Sequence, residues 1–78
     1  MDDETMNPSE VFFEVLESGC TLDLTNYFRE VVPANLLEQL AATANANNSN
    51  LMISGRHISS TDLFKITHAG KQNLTVRF

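Results

Sequence analysis

The apolar period of this 78-residue chain changes once, and that change limits what it can fold into. Up to about residue 44 hydrophobic side chains recur at helical spacing. Beyond the tract Asn45-Ala46-Asn47-Asn48-Ser49-Asn50, rich in turn formers, they alternate as in strands. The pattern predicts an α+β domain of three short N-terminal helices followed by a two- or three-stranded antiparallel sheet. Residues 1–6 read as a flexible acidic tail and residues 7–78 as one domain. No internal repeat is visible.

The helical half has local punctuation. Asn7-Pro8-Ser9-Glu10 is a helix start: Asn7 caps, Pro8 suits the first helical position, and Glu10 can reach back to the cap. Val11, Phe12, Val15 and Leu16 form a stripe, Phe13 falls off it as a core edge or an exposed contact, and Ser18-Gly19 closes the helix. A second helix is expected from Thr21 or Asp23 to Val32, through Leu24, Tyr27, Phe28, Val31 and Val32. Pro33 stops it and opens a third, with Leu36, Leu37, Leu40, Ala41 and Ala44 inward and Asn35, Glu38, Gln39 and Thr43 outward. In the second half Leu51–Ile53, Leu63–Thr67 and Leu74–Phe78 read as strands, the last two joined by a hairpin connection at His68–Gln72. Ser59-Ser60-Thr61-Asp62 reads as a turn, or as a capped helical turn if Leu63 and Phe64 are not strand.

Charge divides along the same line. Residues 1–40 hold nine acids against Arg29 alone, net −8, whereas residues 41–78 hold four bases against Asp62 alone, net +3; together they give the chain's −5. Such asymmetry marks either two halves that neutralise each other or a docking surface. Overall acidity opposes tight nucleic-acid binding, because the field of the whole molecule repels a polyanion. No apolar run exceeds three residues, which excludes a membrane span, and the acidic start is unlike a secretory leader, so a cytoplasmic protein is expected.

Chemistry-bearing groupings are sparse. Cys20 alone makes neither a disulfide framework nor a thiolate metal site. His57 and His68 stand eleven apart with no acidic or thiol companion at ligand spacing. Nothing resembles a phosphate loop, a carboxylate pair or a nucleophile motif. Neither catalysis, nor a metal, nor a cofactor is expected.

The stretch from Asp62 through Ile66-Thr67-His68-Ala69-Gly70-Lys71 to Leu74 resembles the wing strand and exit of winged-helix domains, and the order of elements over residues 34–74 is similar to that family. The resemblance implies a recognition helix presenting Asn35, Gln39 and Thr43 to a major groove, and a wing offering Arg56, His57 and Lys65 to phosphate. That helix carries Glu38 and no base, so the resemblance bears on architecture more than on DNA binding. The expected function is that of a small acidic, non-catalytic protein-binding regulator or inhibitor, of the kind phages and mobile elements encode. Glu10, Phe13, Glu14 and Glu17 would contact a partner with a basic surface. A DNA-binding regulator using the basic C-terminal half is the alternative, and an open C-terminal strand offers a route to a homodimer.

Overall fold

The computed structural model describes residues 8–25, 32–56 and 58–78. Its elements alternate: α1 (Pro8–Glu17), β1 (Thr21–Asp23), α2 (Ala34–Asn47), β2 (Asn50–Ser54), α3 (Ser60–Gly70), one 3₁₀ turn (Lys71–Asn73) and β3 (Leu74–Arg77). The three strands form one sheet in the order β1-β2-β3, and both pairings are parallel. The chain is therefore α+β with interleaved helices. It is not three helices followed by an antiparallel sheet, and among the described residues there is no hairpin wing of a winged helix. Parallel neighbours need a crossover, and α2 and α3 are those crossovers.

Two segments account for the difference. Ser60–Gly70, expected to be a strand and a hairpin connection, is a helix because its N-terminus is capped: Ser59 Oγ accepts from the Asp62 amide at 3.3 Å, and Asp62 puts an acid in the first turn. The Phe64/Ile66 alternation is too short to resist. On the helix the two residues part company, Ile66 fully buried and Phe64 69% exposed. Thr21–Asp23, expected to open a helix, is a strand whose burial alternates, and Leu24 extends it by donating to the Met52 carbonyl at 2.8 Å. The remainder of that expected helix, with Tyr27, Phe28 and Val31, lies outside the described residues, as do the acidic tail, Asn7 and His57.

The parts repeat as three helix–strand units. Leu22, Leu51 and Leu74 are aligned across the sheet, and a residue with positive φ stands three positions before each: Gly19 at 82°, Asn48 at 57° and Lys71 at 53°. At the first two corners a Schellman-type bond closes the helix, Cys20 N to Val15 O at 3.2 Å and Ser49 N to Ala44 O at 2.8 Å. The repeat escapes a sequence search because 29 residues separate Leu22 from Leu51 and only 23 separate Leu51 from Leu74.

Buried polar bonds stitch the corners together. Ser49 Oγ donates to the Leu16 carbonyl in the last turn of α1, and Asn73 Nδ2 donates to the Ser49 carbonyl at 2.6 Å. Ser49 and Asn73 are the buried polar residues among those described. Ser49 adds a second bond to the Leu16 carbonyl, which also accepts from Gly19 N at 3.1 Å, and Asn73 gives the Ser49 carbonyl a donor in the interior.

The helices cover one face of the sheet. Leu22, Leu51, Ile53, Leu74 and Val76 join Leu16, Leu37, Leu40, Ala41, Ala44 and Ile66 in a single core. The opposite face carries Thr21, Asp23, Asn50, Met52, Ser54, Thr75 and Arg77, none of them buried. Parallel sheets are usually covered on both faces. Among the described residues no helix packs on this second face, and its largely polar character fits that.

Lys71 pays for its corner. Its φ of 53° and ψ of −128° suit glycine, and its side chain is exposed. Lys71→Gly should therefore raise stability by about 1 kcal/mol despite the added freedom of the unfolded chain. Urea titration should show a higher midpoint at unchanged slope; a lower midpoint would mean that this corner is unstrained.

Candidate functional site

The unit order places the described acids of α1 and β1 at one end of the molecule and the bases of α3, the 3₁₀ turn and β3 at the other. α1 packs on α2, α2 on α3, and among the described residues β1 and β3 are the two sheet edges. One end is thus α1 with β1, and the other is α3 with β3.

The α1–β1 end is acidic. Ser9, Phe12, Phe13 and Leu16 form the inward side of α1, and Glu10, Val11, Glu14 and Glu17 are exposed. Glu10, Glu14 and Glu17 therefore share one solvent surface, as the sequence suggests. Phe13 does not join them: it is half-buried and packed against the core. The expected stripe was out of phase by roughly one position, and Val11, 41% exposed, is the apolar residue among the acids. On β1, Asp23 accepts from the Thr25 hydroxyl at 2.5 Å and from the Thr25 amide at 2.9 Å. These two bonds, in that order, hold its carboxyl below the usual range; Arg77 across the sheet acts in the same direction.

The α3–β3 end is cationic. Lys65, Lys71 and Arg77 are exposed on it, and the exposed His68 lies on the same helix as Lys65. Leu63, Ile66 and Gly70 face inward, so Phe64, Lys65 and His68 occupy the outer side of α3. Phe78 follows β3 and is 74% exposed, yet it is anchored: Gly55 N donates to the Arg77 carbonyl at 2.8 Å, and a Cβ on Gly55 would meet the Phe78 ring at 2.6 Å.

The residues implied by the winged-helix resemblance are not assembled into such a site. Asn35 and Gln39 lie exposed on α2. Thr43 is half-buried, with its hydroxyl donating to the Gln39 carbonyl at 2.9 Å. Arg56 is exposed just after β2, Lys65 is on α3, and the wing that would bring both to phosphate is not formed. Cys20 is exposed at the first corner. Among the described residues no three His, Cys, Asp or Glu side chains are grouped to hold a metal, and no helix is long and apolar enough to cross a membrane.

Sequence reasoning passed over Val11, Phe64 and Phe78 as surface residues and Asp23 and Arg77 as charges on the two edge strands. The charge split was the available signal for the last two. No family model matches the chain, and no curated protein and no solved structure matches it.

Proposed function

We propose that the chain is a small acidic, non-catalytic protein-docking module, a regulator or inhibitor whose α1 face receives a basic surface of its partner. The observation that carries this reading is the exposed set Glu10, Val11, Glu14 and Glu17 on one short helix that bears no base. Carboxylates arranged in this way steer a cationic partner and reject an anionic one, while the apolar side chain flanking them adds contact area that salt does not screen. The exposed single thiol fits a reducing compartment, and we assign the module to the cytoplasm.

The test is charge reversal. Glu10→Lys, Glu14→Lys and Glu17→Lys together should cut capture of the natural partner from native-cell extract by about tenfold or more. Capture by the unaltered chain should also weaken as salt is raised. Equal recovery by the two proteins would defeat the reading. A second reading, self-association through the C-terminal strand, is favoured by the position of β3 at a sheet edge.

A further inference from the structure

We propose that the basic surface which docks on α1 is the α3–β3 end of a second copy, so that molecules stack head to tail and the β1 edge of one continues the sheet beyond the β3 edge of the next. The proposal rests on the reading of the acidic α1 face as a docking surface and specifies its partner.

Register is the first argument. Within one molecule Leu22, Leu51 and Leu74 share a row on the core face, with Asp23, Met52 and Thr75 in the next row on the open face. If β1 of a second copy pairs with β3 in the same relation, its Leu22 falls beside Leu74 and extends the leucine row. Its Asp23 then falls beside Thr75. Arg77 is two residues beyond Thr75 on the same face, the diagonal position that a long side chain spans. The step that adds a unit within the chain therefore also adds a molecule, as in stacked repeats whose units touch only their neighbours.

Charge is the second argument, and it selects the operator. Pairing β3 with a second β3 sets Lys71 and Arg77 against their own copies, and pairing two α1–β1 ends opposes Glu10, Glu14 and Asp23 to themselves. Only the β3-to-β1 arrangement joins opposite signs. On the helical layer the same arrangement brings the outer side of α3, with Phe64, Lys65 and His68, toward the outer side of α1, with Glu10, Val11 and Glu14. The exposed apolar residue of each helix meets the other, with its charged neighbours complementary. Because the two surfaces differ, the contact is heterologous and does not close at a dimer.

Mass by light scattering and sedimentation tests this, at low salt and across a concentration series. The unaltered chain should grow beyond a dimer with concentration and revert to monomer when salt is raised. Glu10→Lys with Glu14→Lys disables one surface, and Lys65→Glu with Arg77→Glu disables the other. Each pair should weaken self-association by about tenfold or more. In an equimolar mixture each reversed surface meets one reversed to the opposite sign, so both contacts become complementary again and assembly beyond a dimer should return. If Arg77→Glu unsettles β3 by circular dichroism, Lys65→Glu alone serves in its place.

A chain that stays monomeric at every concentration would overturn the inference, and so would a dimer that never grows further or a mixture that fails to pair. If native-partner capture through α1 survives such a result, the docking reading stands without the second copy. If the Glu10/Glu14 variant retains both capture and assembly, the docking reading itself falls.

Discussion

Leu51→Ala should cost about 3–5 kcal/mol, the range for deleting most of a fully buried leucine that its surroundings cannot collapse to replace. Leu51 has no exposed surface, stands on the central strand, and is the middle of the Leu22–Leu51–Leu74 row. α2 and both neighbouring strands lean on that site, so there is little slack for relaxation. A domain of this size has a total stability of roughly 4–12 kcal/mol, so the variant should be marginal or largely unfolded at room temperature. The control is the adjacent residue. Met52 sits on the open face of the same strand, and Met52→Ala should cost no more than about 1 kcal/mol. Urea titration of the two variants measures the difference directly. Comparable losses would mean that the sheet is covered on both faces, contrary to the arrangement described here.

The contrast between Leu51 and Met52 also shows what the sequence could and could not convey. A strand at Leu51–Ile53 was legible from its run and its flanking turn formers, and so was the final strand. Whether the strands run parallel is set by what lies between them, and that depended on Ser59–Asp62. The capping signal there was visible but was outweighed by five alternating residues. α2 was legible in detail because Pro33 begins it and its inner positions keep helical spacing over three turns. Its far end was not: Asn45 and Asn47 resemble loop residues, yet the helix runs through Asn47 and turns at Asn48. Ser49 and Asn73, read as turn formers, are buried because their side chains satisfy carbonyls of neighbouring units, and a bond between residues 24 or 33 positions apart leaves no local trace. Of the candidate surface, the acids on α1 could be read from charge and period. Replacing Phe13 by Val11 required knowing which way the helix is turned, and five apolar positions in two turns allow more than one phase.

Gly70→Ala sets two principles against each other, and the structure decides which one prevails. Gly70 has ordinary helical geometry, with φ of −87° and ψ of −29°, so alanine fits its backbone and improves helix propensity by about 1 kcal/mol. Helix propensity alone would predict stabilisation. A Cβ at this position, however, would lie 2.8 Å from Leu74 Cβ and 3.1 Å from Ala41 Cβ. Both are stem atoms fixed to backbone, so neither can rotate away, and the added methyl must part α3 from α2 or shift β3. Overpacking of this kind costs roughly 1–3 kcal/mol and exceeds the propensity gain. Gly70→Ala should therefore be destabilising, and Gly70→Val more so, by about 3 kcal/mol or more as a second methyl group meets the same seam. Ala41→Gly supplies the check on cause. It removes one of the two obstructing atoms, so it should cost less beside Gly70→Ala than alone, with a coupling of at least about 0.5 kcal/mol in a double-mutant cycle. A stabilised Gly70→Ala variant would show that α2 and α3 are not held at the separation that places Leu74, and with it the β3 edge, where the stacking contact requires it.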